Sequence, residues 1–214
     1  LPEMVIAKEI GFKSDFLSRR VILNAAAFTY NYQGLQAATP RPDPVLGTPL
    51  NFLANLEDAS IKGAEVELRV RPTASLDATF GAGWLDTKNR DPGANFNGIF
   101  GNSPRVLPNA PEFSFSAALN YDLNIDEDNE LRFHADYSWE DEHYKEIVNN
   151  LRVPAQGMWN ARISFKNVPS KLNIAFYVKN LLDDANVVDT LADPVSAGWG
   201  TIVYGQPRTF GISI

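Results

Sequence analysis

The chain has 214 residues and no cysteine. Disulfide frameworks, thiolate metal sites and thiol nucleophiles are therefore excluded. Long apolar runs are missing too: nothing approaches the ~18 consecutive apolar residues that a spanning helix needs. The N-terminus, Leu1-Pro2-Glu3-Met4, lacks the basic start and apolar core of a signal peptide. Basic tracts are absent and the formal net charge is −7, which argues against nucleic acid as a partner. Only two histidines occur, His134 and His143, in no ligand spacing such as H-E-x-x-H. Neither a catalytic constellation, nor a metal site, nor a cofactor is expected. The Glu140-Asp141-Glu142 run reads as a solvated acidic cluster.

What the chain does have is alternation. In Ala64-Glu65-Val66-Glu67-Leu68-Arg69-Val70-Arg71 every second residue is apolar and those between are charged. An extended strand sends successive side chains to opposite faces, so one face is aliphatic and the other ionic. The same period recurs at Ile10–Phe16, Leu76–Trp84, Phe113–Tyr121, Leu131–Trp139, Trp159–Phe165, Leu172–Val178 and Phe210–Ile214. Val21 to Tyr32 is less regular: Val21, Leu23 and Ala25 hold one phase, and Phe28, Tyr30 and Tyr32 the other. A bulge near Ala25-Ala26-Ala27 is expected to reconcile them. About nine strands result, with no helical periodicity.

The connections alternate between short and long. The short ones are Ser18–Arg20, Pro72–Ser75, Asp126–Asn129 and Val168–Ser170. The long ones run roughly over 37–58, 89–111, 146–158 and 185–204 and hold most of the prolines. Transmembrane barrels have this parity, with short periplasmic turns and longer outer loops. The reading is an all-β, antiparallel up-and-down transmembrane barrel, here a partial one. Val66, Leu68, Phe133 and Phe176 are then lipid-facing, and Glu65, Glu67, Arg69, Arg71, Arg132, His134 and Asp136 lumen-facing. Charge ladders across strands are the expected role of Glu65, Glu67, Arg69 and Arg71. Tyr30, Tyr32, Trp84, Tyr137, Trp139 and Trp159 sit toward the long-loop ends and are expected to form one aromatic girdle. Ligand contacts are expected from the outer loops: Asn95-Phe96-Asn97, Phe100, Arg105 and Trp199. The long loops carry little net charge, and that negative, so steering of an anionic ligand gets no support.

Four segments resemble TonB-dependent outer-membrane receptors. Ile61-Lys62-Gly63-Ala64-Glu65-Val66-Glu67-Leu68 is similar to the family's "KGvElel" strand opening, and Leu107-Pro108-Asn109-Ala110-Pro111 to its "lPnaP" stretch. Val178-Lys179-Asn180-Leu181-Leu182-Asp183 resembles "v.NLfD", and Tyr204 to Ile212 the closing "PRtfgl" strand. The order and spacing match across essentially the whole chain. The resemblance implies a plugged-lumen barrel of roughly 22 strands, of which residues 1–214 would be the C-terminal portion. The plug domain and the N-terminal strands have no counterpart here, and Ile214 stands where the family usually ends in an aromatic residue.

By the same resemblance the parent protein is a transporter and not an enzyme. It would lie in the outer membrane of a Gram-negative bacterium and import a scarce nutrient such as a ferric siderophore, cobalamin or an oligosaccharide. Its partners would be outer-membrane lipid, the imported ligand, a plug in the lumen, and the TonB complex through the missing N-terminal region. The alternatives are a passive porin, a barrel enzyme, and a soluble all-β carbohydrate-binding module. The soluble module requires Val66, Leu68, Phe133 and Phe176 to face a protein core.

Overall fold

The computed structural model describes residues 2–42, 49–55, 58–89, 106–147, 149, 151–193 and 199–214. Among the described residues fifteen strands occur in chain order: β1 (Met4–Phe16), β2 (Val21–Gln33), β3 (Gln36–Pro42), β4 (Pro49–Asn55), β5 (Ala59–Thr73), β6 (Leu76–Asn89), β7 (Phe113–Asn124), β8 (Asn129–Glu140), β9 (His143–Tyr144), β10 (Arg152–Val153), β11 (Gln156–Asn167), β12 (Leu172–Lys179), β13 (Val187–Asp193), β14 (Trp199–Tyr204) and β15 (Thr209–Ser213). Nine of them form one antiparallel sheet in the order β1-β2-β5-β6-β7-β8-β11-β12-β15. The remaining six pair as small two-stranded ribbons, β3–β4, β9–β10 and β13–β14.

Each ribbon lies within a long connection, so three of the four stretches expected to be loops carry strands of their own. Short turns and long excursions alternate without exception along the nine-stranded meander. Side chains shape the turns: Asp126 Oδ1 accepts from the backbone N–H groups of Asp128 and Asn129, both at 2.9 Å. Asn167 Oδ1 accepts from the Ser170 N–H at 3.0 Å. These are Asx-type turns, in which a short polar side chain replaces a backbone acceptor.

Register follows from the period-2 pattern, because a one-residue slip would exchange every apolar side chain for a charged one. Val66 is paired with Ala25 and Ala82, and Ala82 with Phe115, which in turn meets Trp139. Phe133 pairs with Tyr121 and Ile163, and Ile163 with Phe176, which meets Ile212. Through the middle of the strands one face of the sheet is thus apolar from edge to edge, and Lys8, Lys62, Asp86 and Lys88 appear on it only at the loop end. It is also bare: Phe176 is 50 % exposed, Phe115 40 % and Val66 39 %. Among the described residues there is no helix and no second large sheet to cover it.

Two expectations need correction. The β1–β2 and β2–β5 registers run unbroken through Ala25, Ala26 and Ala27, so no bulge occurs there. Phe28, Tyr30 and Tyr32 therefore share a face with Asn24 and Glu67, not with Val21 and Leu23. Consequently Tyr30 and Tyr32 cannot join a girdle with Trp84, Tyr137, Trp139 and Trp159, which stand on the apolar face. On that face Tyr137 and Trp159 stack with centroids 4.6 Å apart. The sequence misleads because Thr29 and Asn31 occupy the apolar-side positions at the loop end of β2.

Candidate functional site

Opposite the apolar face lies a polar wall built by the other half of each strand. At its turn-side end the charges neutralise one another across strands. Asp77 accepts from Arg69 Nε at 3.0 Å and Arg69 Nη2 at 2.5 Å, and from Arg71 Nε at 2.7 Å. One strand pair further on, Arg132 donates to both oxygens of Asp122 at 2.6 and 2.9 Å and to Glu130 at 3.3 Å. The Arg132–Asp122 pair is a bidentate fork, the geometry that fixes orientation as well as charge. Both clusters sit where successive strands enter their short turns.

A hydrogen-bonded chain leads from this end toward the loops. His134 lies between Asn120 Oδ1 (2.8 Å from Nδ1) and Asp136 Oδ1 (3.1 Å from Nε2). Asp136 Oδ2 accepts from Asn160 Nδ2 at 2.8 Å, and Asn160 Oδ1 accepts from the Asn180 N–H at 3.0 Å. Asn180 is 2 % exposed. Its Nδ2 donates to the carbonyls of Asp184 (2.9 Å) and Gln206 (3.2 Å), while its Oδ1 accepts from the Asp184 N–H (3.0 Å). Gln156 makes the next tie: Oε1 accepts from the Val187 N–H at 2.7 Å, while Nε2 donates to the Val187 carbonyl at 2.9 Å and to Glu140 at 2.7 Å. The β13–β14 ribbon is thereby fastened to the ends of β11 and β12.

A second rim contact is made by the stretch before β7. Asn109, in the left-handed region at φ 53°, donates its N–H to the Tyr144 carbonyl at 2.7 Å. Asn149 Oδ1 accepts from the Val106 N–H at 3.2 Å, and Thr87 Oγ1 from the Leu107 N–H at 3.2 Å. His143 (4 % exposed) and Val153 (0 %) are buried in this region. His143 is thus part of the rim's packing. Among the described residues no His, Asp and Glu side chains gather in a metal-holding group.

The expected wall residues Glu65, Glu67, Arg69, Arg71, Arg132, His134 and Asp136 all fall on the polar face. Arg69, Arg71 and Arg132 pair across strands with aspartates, and Glu67 accepts from Asn24 Nδ2 at 3.2 Å. The expected charge pairing across strands is made by Arg69 and Arg71 of β5, both with Asp77 of β6. Phe96, Phe100 and Arg105 lie outside the described residues, as do Asn95 and Asn97. Trp199 opens β14, its backbone paired with Asp193. Sequence reasoning missed Asn180, Asn160 and Gln156; their only signal is a polar residue at the loop end of an alternating strand.

A family model for the TonB dependent receptor-like beta-barrel matches residues 1–181. Among solved structures, the ferric yersiniabactin uptake receptor FyuA from Yersinia pestis superposes with a TM-score of 0.78 at 18% identity, over 98% of this chain and 29% of its own. The siderophore receptor PiuA from Acinetobacter baumannii gives 0.68 at 20% identity, over 97% of this chain and 27% of its own. The ferric citrate transporter FecA in its unliganded form gives 0.71 at 18% identity, over 99% and 31%. The chain thus spans under a third of the length of these structures. The matched model covers all the strands up to β12, and the chain belongs to the family of TonB-dependent receptor-like β-barrels.

Proposed function

We propose that this chain forms the C-terminal nine strands of the barrel of an outer-membrane receptor that imports a scarce nutrient with energy supplied through TonB. The family is one of outer-membrane receptors and transporters of Gram-negative bacteria, not of enzymes. On this reading the apolar face meets lipid through Val66, Leu68, Phe133 and Phe176. The polar face lines the lumen, where a plug would sit, and β1 and β15 pair with the strands that complete the barrel. Open edges in hydrocarbon leave backbone groups unsatisfied, so closure is obligatory.

One observation carries the reading: an apolar band exposed across all nine strands, backed by a polar face whose charges pair at the turn end. A soluble carbohydrate-binding module would bury the first against a second layer, and the described residues include none. The ligand classes that fit a receptor of this kind are ferric siderophores, cobalamin and oligosaccharides. Contacts from Phe96, Phe100, Arg105 and Trp199 in the outer loops belong to the same proposal.

The test is growth of a strain lacking the full-length receptor, on limiting iron, cobalamin or oligosaccharide, with and without TonB. Loss of growth on one nutrient, restored by the receptor only when TonB is present, is the expected result. Restoration without TonB would make the barrel a passive pore, and no growth phenotype on any of the three would overturn the reading.

A further inference from the structure

The polar face carries an aromatic ledge that the charge pattern alone does not reveal. Phe28 and Tyr30, two residues apart on β2, stack with centroids 5.1 Å apart and ring planes 18° from parallel. Their strand neighbours leave the rings room. Phe28 is paired with Gly63, where a Cβ would run into the Phe28 ring and come within 2.8 Å of Leu85 Cδ2. Tyr30 is paired with Ala7 and Ile61. Both rings are partly exposed.

Carboxylates flank this ledge. Glu9 is the register partner of Phe28 on its other side, and Glu65 is paired with Ala26, two residues along β2. Among the described residues neither has a hydrogen-bond or ion-pair partner, unlike the aspartates at the turn-side end. Both line an open groove of about 470 Å³ together with Gly11, Lys13, Asn24, Ala26 and Glu67; the rings of Phe28 and Tyr30 stand beside it, toward the loops, and are not part of its lining. That volume is within the usual range of small-molecule sites, roughly 300–1,000 Å³. The wider wall is biased in the same sense. In the loop-side halves of the nine strands the polar face presents Glu9, Glu65, Asp136 and Glu140 but only one cation, Lys179. Arginines appear only toward the turns.

Aromatic faces and carboxylates both attract positive charge, the rings through their quadrupole and the carboxylates directly. Resting on the lumen reading above, we infer that the Phe28–Tyr30 ledge with Glu9 and Glu65 is a binding site for a solute bearing an organic cation, such as an alkylated or primary ammonium beside a flat apolar part. A polyanionic ligand would be repelled here, and a neutral one would gain only the stacking.

The experiment uses the full-length receptor in detergent, with saturation-transfer NMR on three probes of similar size: phenyltrimethylammonium, benzyl alcohol and benzoate. The site predicts the order cation, neutral, anion. The variant Glu9→Gln/Glu65→Gln should weaken phenyltrimethylammonium about tenfold while leaving benzyl alcohol unchanged. Phe28→Leu/Tyr30→Leu, which keeps apolar volume, should weaken both. Equal binding of cation and neutral probe, or wild-type affinity in the glutamine variant (as if another part of the receptor covered the ledge), overturns the inference. TonB-dependent growth of the same glutamine variant separates the two proposals: TonB-dependent growth with no cation selectivity sinks the site alone, whereas selectivity without TonB dependence sinks the transport reading alone.

Discussion

Asp183 holds Arg208 by its backbone: Asp183 Oδ1 accepts from the Arg208 N–H at 2.7 Å, across the whole β13–β14 excursion. The Arg208 guanidinium also donates to the Leu181 carbonyl at 3.4 Å. Together with Asn180 and its bond to Gln206, this staples the end of β12 to the start of β15. The two C-terminal segments that resemble the receptor family are therefore one structural unit, closed around a buried amide.

Removing that amide should be costly. Asn180→Gly keeps the left-handed backbone (φ 52°) but leaves two carbonyls and one N–H without their partner. At about 1–3 kcal/mol for an unsatisfied buried group, a loss of about 2–4 kcal/mol is expected, since water can reach part of the site. Asp183→Gly, which keeps the left-handed backbone (φ 62°) at an exposed position and removes the bond to the Arg208 N–H, should cost about 1 kcal/mol. The temperature at which the full receptor loses its compact, heat-modifiable gel band reads both. Equal, negligible shifts would mean that the staple adds nothing.

Gly63 offers a separable test of packing on the polar side. Gly63→Ala places a methyl group where the Phe28 ring and Leu85 Cδ2 already lie. Overpacking of this kind costs about 1–3 kcal/mol, less where the neighbour can rotate away. Pairing it with Phe28→Leu should recover most of the loss, because the smaller side chain vacates the space. A double-mutant cycle on the same gel transition gives the coupling; additive losses would contradict the ring's position over Gly63.

The alternation of faces was legible in the sequence because it is local: period 2 needs no knowledge of partners. Glu65, Glu67, Arg69 and Arg71 are assigned to one wall by period alone, and the parity of turns and loops follows from proline and polar clusters. Phe28 to Tyr32 was not legible, since Thr29 and Asn31 break the apolar phase at the loop end and mimic a bulge. Nor were β3 and β4, whose Pro40, Pro42 and Pro49 argue against strands except at edges. The ribbons pair only with each other, so their prolines interrupt no central ladder. The Asn180 staple escaped for a different reason. Asp184 is a local partner, but Asn160 and Gln206 lie 20 and 26 residues away and are joined to it by tertiary contacts to which sequence spacing gives no clue.

Low pH should loosen one turn in a predictable direction. The Asp126 carboxyl is held below its ordinary range, first by the Asn129 side chain and then by the Asp128 N–H. A carboxyl whose folded pKa is depressed stabilises the fold above its unfolded pKa, near ~3.9, and loses that contribution as pH falls through the folded value. The midpoint of thermal unfolding should therefore fall between pH 5 and about pH 3 by more in the parent than in Asp126→Asn. Identical pH dependence in the two proteins would show that the turn makes no contribution.

The most direct trial of the two-faced wall sets one substitution against its mirror. Val66 lies mid-strand on the apolar face, paired with Ala25 and Ala82, whereas Thr79 lies on the polar face, paired with Arg69 and Ala118. Val66→Arg in the full receptor places a guanidinium against hydrocarbon, at about 2–4 kcal/mol near the bilayer midplane. Phe133→Arg should behave alike. Thr79→Arg meets water, where the like charge of its partner Arg69 is screened and costs far less than a charge in hydrocarbon, so it should assemble normally. The measurement is the amount of heat-modifiable receptor recovered from outer membranes. If Val66→Arg assembles as well as Thr79→Arg, the apolar face is not in lipid, and every assignment of lumen residues on the opposite face loses its basis.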